Sequence, residues 1–317
     1  MTDPDDLRSG GRWALRQRAK NDALWLLASL ALGACRPLPA SVLRWLGRRL
    51  GLAAVLLAPG ARRTALANLA RVFPALRERE RQALVRRCFA TLGEVLGETV
   101  AMLGSRPVGL LEIDAPTRRV FQQALAEGRG VVFASAHLGP WERVAASLAA
   151  AGVPLVVLAR ESYDPRFTRL YARLRERHGL EVIWRGEPGA AARILRTLRG
   201  NRVLGVPMDL RSRVASCEAP FLGHGAPTAI GPARLALRTG APVVVGSAIP
   251  ASGGGDGRVE VTATPVQTAG LPGDMAGARE LTCRMNAEIS RRILAFPHGW
   301  VWMHERWATR TEDDSPG

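Results

Sequence analysis

An α/β fold, with a largely parallel sheet flanked by helices, follows from three features of this sequence. From residue 120 onward, short β-branched runs alternate with helical stretches. The residues ahead of them read as helices almost throughout. The chain is also long enough, at 317 residues with 47% apolar content, to close a substantial core.

The strand-like runs are "GVVFAS", "PLVVLAR", "LEVIW", "VLGVP", "PVVVGSAI" and "VEVTATPV". Between the first five lie "WERVAASLAAAG", "FTRLYARLRERHG", "GAAARILRTLRG" and "GPARLALRTG", each apolar at helical spacing. Strand–helix–strand alternation of this kind builds parallel sheets, whose ligands bind at the carboxyl ends of the strands. A long helix, "RELTCRMNAEISRRILAFP", follows the last strand, and "HGWVWMHERW" closes the fold as a packed lid over the core. "PASGGGDGR" reads as a flexible hairpin-like loop, and residues 309–317 as a disordered tail.

Ahead of the sheet, "RRTALANLARVFP" is a helix stopped at Pro74, and "RERERQALVRRCFATLGEVLGETVAML" is a second amphipathic helix. Residues 1–60 are set apart from a main domain at 61–308. The uncharged core of the first apolar run, Ala23 to Cys35, is shorter than the ~20 residues that span a bilayer. With "LGLAAVLLAP" behind "LRWLGRR", it predicts two helices flanked by arginine and by Trp25 and Trp45. Two readings are open: helices docked in a membrane interface, or buried helices of the main core. The basic flanks and tryptophans favour docking.

The net charge is +16, almost all from arginine, since Lys20 is the only lysine. Such a chain expects an anionic partner: nucleic acid, acidic lipid or a phosphorylated ligand. Nucleic-acid binding needs arginines clustered with aromatics on one face, whereas here the arginines are scattered and aromatics are only 5%. Cys35, Cys88, Cys217 and Cys283 are widely spaced, without a CxxC pair, so neither a disulfide framework nor a zinc site is expected and a reducing compartment fits. No cleavable signal is evident in "MTDPDDLRSGGRW". The histidines show no metal spacing, and the glycine-rich stretches do not form a dinucleotide fingerprint.

The stretch that carries chemistry is "ASAHLGPWE". A strand from Val131 to Ser135 places His137 at its carboxyl end. Gly139 permits a tight turn, Pro140 suits the first turn of a helix, and Glu142 lies where the helix dipole favours an anion. His137 and Glu142 can face each other across that loop. A carboxylate-held histidine is a general base that can take a proton from a hydroxyl. With no GxSxG elbow and no cysteine beside a histidine, the sequence offers no protein nucleophile, and the substrate's own hydroxyl can serve. A hydrolase of acyl esters, with water as acceptor, could use the same pair.

At these residues the sequence resembles the lysophospholipid acyltransferase superfamily, and most its bacterial lipid A biosynthesis (lauroyl/myristoyl) acyltransferase branch. "AHLGPWE" is similar to the family's H-x4-D/E motif. Arg63, Asn68, Phe73 and Pro74 are similar to its R-x4-N-x4-FP segment. Arg160 ends "PLVVLAR" where the family keeps an arginine. "VPMDLRSR" resembles its Asp-containing block, with Asp209 in register. "EAPFLGHGAPTAIGPARLALRTGAPVV" resembles its phosphate- and acyl-site segment, and "WVWMHERW" its terminal W-x-H-x-R-W/F. The resemblance spans roughly residues 20–308.

The resemblance implies a glycerol-3-phosphate-acyltransferase-like fold. It implies transfer of a fatty acyl group from acyl carrier protein or acyl-CoA to a hydroxyl of a membrane (glyco)lipid, such as a lipid A precursor. No metal or further cofactor is expected, and the inner membrane's cytoplasmic face is the expected location. His137 would be the base and Glu142 its partner. Glu218, in "CEAPFLG", stands where the mycobacterial phosphatidylinositol mannoside acyltransferases use a later glutamate; it is otherwise a surface charge. Arg160, Arg211 and Arg213 would meet phosphates of acceptor or donor. Asp209 and Thr228 would lie near the substrate, or cap a turn and a helix respectively. "YDPRF" matches no particular branch and leaves the acceptor open.

Overall fold

The computed structural model describes residues 13–104, 106, 108–211, 214–251 and 258–308. Arg213, the glycine-rich loop at 252–257 and the expected tail fall outside the described residues.

Four helices come first: α1 (Leu15–Cys35), α2 (Ala40–Leu57), α3 (Pro59–Val72) and α4 (Glu78–Leu103). The sheet layer follows as β1 (Glu112–Ile113), α5 (Ala115–Ala126), β2 (Val131–Ser135), α6 (Trp141–Ala150), β3 (Leu155–Ala159), α7 (Pro165–Arg177), β4 (Glu181–Trp184), α8 (Ala190–Arg199) and β5 (Val203–Pro207). A hairpin, β6 (Ser216–Phe221) and β7 (His224–Ala229), precedes α9 (Gly231–Thr239), β8 (Val243–Pro250), β9 (Val259–Val266) and α10 (Met275–Ala295).

Seven strands form one sheet in the order β1-β9-β8-β2-β5-β3-β4. Its neighbours are parallel except β8 and β9, which pair antiparallel. The mixed α/β architecture with a mostly parallel, helix-flanked sheet is thus the expected one. Three strands escaped sequence reading. β1 has only two residues, and the β6–β7 hairpin is broken by Pro220 and Pro227 and lacks a β-branched run.

β2 sits between β5 and β8, and Val131 to Ala134 are buried on both faces. One core cluster joins Val132, Val206 and Val245 to Leu69, Met285, Ile289 and Trp300, on the side of α3, α4, α9 and α10. The other joins Val131, Phe133 and Val203 to Phe121, Val144 and Leu148 of α5 and α6. Two apolar faces covered by helices are what a parallel sheet requires, and they explain the unbroken apolar runs.

No break in packing falls at residue 60. α2 and α4 lie backbone against backbone: a Cβ on Gly47 would sit 2.0 Å from the Gly93 carbonyl oxygen, and one on Gly97 would sit 2.1 Å from that of Leu43. Glycines at 47 and 51 facing glycines at 93 and 97 make this approach possible. By contrast α1 has no buried residue. Among the described residues no single helix is long and apolar enough to cross a membrane. α2 and α3 together have the length and composition but bend by 90°.

Candidate active site

The β2–β5 register builds the site. Ser135 pairs with Pro207, so the chains leave adjacent strands side by side, and two residues further on stand His137 and Asp209. The Met208 amide donates to the Ser135 carbonyl at 2.9 Å and keeps them parallel past the strand ends. His137 Nδ1 lies 2.9 Å from Asp209 Oδ1. The other carboxylate oxygen, Oδ2, accepts from the His137 amide at 2.9 Å and from the Trp300 indole at 2.8 Å. Asp209 is wholly buried, while the His137 side chain keeps 29% of its surface exposed.

A carboxylate at Nδ1 fixes the proton there and leaves Nε2 as the basic nitrogen. No described protein group hydrogen-bonds Nε2. Burial disfavours the imidazolium, but the Asp209 charge and hydrogen bond and the more distant Glu142 charge outweigh it, so the His137 pKa is raised above the ordinary histidine value. Burial likewise disfavours the Asp209 carboxylate, yet His137 and the Trp300 donor hold its pKa below the usual range.

Glu142 is placed as expected in the first turn of α6, buried and on the same cleft as His137, but its hydrogen bonds go elsewhere. Arg175 of α7 grips it with both arms of the guanidinium, Nη2 to Oε1 at 2.7 Å and Nε to Oε2 at 3.1 Å. The orienting carboxylate of His137 is therefore Asp209, and Glu142 acts on the ring through its field. The reason is the turn at Gly139, at φ +61°, which swings α6 away from the ring's Nδ1 edge while the chain leaving β5 meets it.

The C-terminal segment holds this loop from behind. The Gly139 amide donates to the Gly299 carbonyl at 2.9 Å, Leu138 bridges to Trp300, and the Trp300 indole reaches Asp209. That segment is held in turn by Asn68, whose amide donates to the carbonyls of Trp302 and His304, both at 2.8 Å. Cys88 donates to the Trp300 carbonyl. His304 Nε2 accepts the Arg211 amide at 2.9 Å, so the neutral ring carries its proton on Nδ1. Burial and the nearby cations keep its pKa low, against the pull of Asp209. The expected packed lid is thus also the scaffold of the site.

His137 and Glu142 open onto a cleft of about 980 Å³. Its walls are apolar, with Phe133, Leu155, Val157, Ile194, Leu204 and Leu235 among them, and arginines border it, including Arg160, Arg185, Arg199, Arg211 and Arg234. Arg160 and Arg211 are thus brought to the site. Arg160 also donates to the Tyr163 hydroxyl at 2.8 Å.

Two expected residues are not brought there. Glu218 does not line the cleft: β6 alternates, burying Cys217, Ala219 and Phe221 and turning Glu218 outward against Gly225. Thr228 is a node of the core. Its hydroxyl accepts from Asn286 and from Arg306, whose buried guanidinium also donates to the Pro227 carbonyl and lies 4.5 Å from the Phe221 ring. Sequence reading missed Trp300, Arg175, His304 and Asn68 as parts of the site. The terminal W-x-H-x-R-W, through His304, and the R-x4-N segment, through Asn68, carried the signal for two of them, without saying what they hold. Among the described residues no group of three His, Cys, Asp or Glu side chains is placed to hold a metal ion.

The family model for the bacterial lipid A biosynthesis acyltransferases matches residues 14–309. No curated protein matches the sequence.

Proposed function

The chain belongs to the bacterial lipid A biosynthesis acyltransferase family, and from that premise we propose that His137 activates an acceptor hydroxyl for direct attack on an acyl thioester. Acyl transfer in lipid A biosynthesis is the family's activity; the donor, the mechanism and the residues are our reading. The observation that carries it is the unbonded Nε2 of His137, opening on an apolar cleft bordered by arginines while Asp209 holds the other ring nitrogen.

In this mechanism Nε2 takes the hydroxyl proton as the oxygen attacks the thioester carbonyl. Asp209 stabilises the imidazolium that forms, as the acid of a serine-protease triad does. The tetrahedral intermediate collapses, the carbon–sulfur bond breaks, and the imidazolium returns the proton to the departing thiolate. The apolar walls suit the acyl chain. Arg160 and Arg211 suit phosphates of the donor, acyl carrier protein or coenzyme A, or of a lipid A precursor. α1 and α2 dock the enzyme on the inner membrane's cytoplasmic face, a placement supported by the exposed Leu24, Leu27, Leu30, Trp45 and Leu57.

The test is to incubate the purified protein with acyl carrier protein or coenzyme A bearing a radiolabelled acyl group and a membrane lipid extract, then identify the labelled lipid by mass. One new acyl ester on a lipid, formed only with donor and acceptor together, is expected. Stable labelling of the protein without acceptor would overturn direct transfer, because it reveals an acyl-enzyme.

A further inference from the structure

Beyond the cleft, the described residues line a second, open cavity of about 420 Å³, between α1, α2, α4 and α7. The two share no lining residue. α7 stands between them, turning Arg175 to the cleft and Phe167, Leu170 and Leu174 to the cavity. No charged side chain lines the second cavity, and the Thr99 hydroxyl on its wall is turned back to the Val95 carbonyl at 2.9 Å. A cavity so lined favours apolar guests over water, and this one lies within the ~300–1,000 Å³ of ligand sites.

The cavity is also continuous with an apolar exterior. Leu50 and Leu96 line it, yet they are 64% and 53% exposed. Around them the outer surface of α1 and α2 carries exposed leucines and Trp45, with the Arg49 guanidinium 5.4 Å from the Trp45 ring. α1 roofs the cavity without filling it, for it has no buried residue.

We propose that this cavity seats one acyl chain of a bilayer phospholipid, taken from the membrane on which α1 and α2 lie. The occupant is hydrocarbon because the lining carries no charge and, apart from the Thr99 hydroxyl, the Cys35 thiol and the edge of the Tyr171 ring, is apolar. It comes from the bilayer because the cavity opens onto the leucine-covered surface and not onto the arginine-bordered cleft. The proposal rests on the docking reading above and not on the acyl-transfer mechanism.

The experiment uses the full chain on anionic vesicles whose phospholipids carry a photoactivatable diazirine midway along one acyl chain. Binding is measured by flotation, and crosslinks are mapped by mass spectrometry after irradiation. Crosslinks at Val100, Leu170 or Leu174 are expected, with Cys35, which lines the cavity, protected from maleimide by the vesicles. Leu32→Trp fills the cavity from α1, where the fold buries nothing. It should reduce those crosslinks about tenfold while flotation and crosslinks in the cleft persist. Crosslinks confined to the outward leucines, or to the cleft, overturn the proposal while leaving docking intact. Labelling by a diazirine free fatty acid but not by the phospholipid overturns it too. Failure to float overturns both this site and the docking reading, and leaves acyl transfer standing.

Discussion

Two buried carboxylates flank His137, and the regions that hold them treat them differently. At the carboxyl-terminal edge of the sheet, where the central strands β2 and β5 end, Asp209 receives hydrogen bonds from neutral donors with no cation paired to it: the imidazole, a backbone amide and an indole. On the helical side, Glu142 is neutralised outright by Arg175, with Tyr171 and Trp184 beside the guanidinium. An unneutralised buried carboxylate can stabilise a cation that appears during turnover. A neutralised one can only tune the field in which that cation appears. Under the proposed mechanism, chemistry falls to the sheet edge, and fold and tuning to the helical side.

Removing the base is the most severe way to probe it. His137→Ala should lower turnover by about 10²–10⁴; it also leaves an oxygen of the buried Asp209 without its imidazole donor, so the circular dichroism melt should fall by several degrees while the variant remains folded at the assay temperature. Near-normal turnover in a folded variant would remove the sheet edge from the mechanism.

Asp209→Asn should approach that loss by a different route. The amide oxygen is claimed by two fixed donors, the His137 amide and the Trp300 indole, so the NH2 faces Nδ1. That forces the ring proton onto Nε2, the nitrogen that must accept the substrate's proton. The pH profile separates this from mere damage. In the proposed mechanism His137 must be neutral to act, so kcat/KM should fall as pH drops through its pKa, and in the wild type that limb should lie above the ordinary ~6.5 of histidine. Without the Asp209 charge, burial prevails and the limb should move to lower pH. A limb that stays put would mean that Asp209 does not face the titrating group.

The helical pair should respond more mildly, and its two members in opposite senses. Glu142 raises the His137 pKa and Arg175 lowers it, so Glu142→Gln should shift the acid limb down and Arg175→Gln should shift it up. A through-space term of about 1 kcal/mol changes the rate roughly fivefold. Stability carries the larger signal: each single variant strands a buried charge at a cost of about 3–5 kcal/mol. The double variant strands none and should melt above either single one. Limbs that move together, or a double variant less stable than both, would break the division between the two regions.

How the site was legible in the sequence follows the same division. His137, Gly139 and Glu142 lie within six residues, and strand-to-helix logic placed all three. The alternating apolar runs placed the sheet. Asp209 is 72 residues from its partner, and nothing in either segment states that β2 and β5 are neighbours. Only the order β8-β2-β5-β3 does, and that order is set by how the whole sheet packs. Glu218 was misplaced because its local context is a short turn, and the strand alternation that turns it outward belongs to a hairpin too rich in proline and glycine to read. Arg175 was hidden among many arginines on an amphipathic helix, where no spacing marks the one that turns inward.

The smallest effect is expected farthest from the chemistry, at Asn68. Its amide hydrogens meet two carbonyls of the segment that positions Trp300 behind Asp209. Asn68→Ala leaves both carbonyls without that donor in a buried place, a cost of about 1–3 kcal/mol. For a chain of this size that is a fall of several degrees in Tm. The catalytic groups keep their own contacts, so the rate loss should be smaller than in either Asp209→Asn or Glu142→Gln, and the acid limb should not move, because no charge near His137 changes. Asn68→Asp is the sharper variant. It keeps the size but replaces the two donors with acceptors facing carbonyl oxygens, and it should melt below Asn68→Ala. If instead Asn68→Ala moved the pH limb as far as Asp209→Asn does, the C-terminal segment would be setting the charge state of the site and not only its position. The division between chemistry at the sheet edge and support elsewhere would then have to be redrawn to include α3.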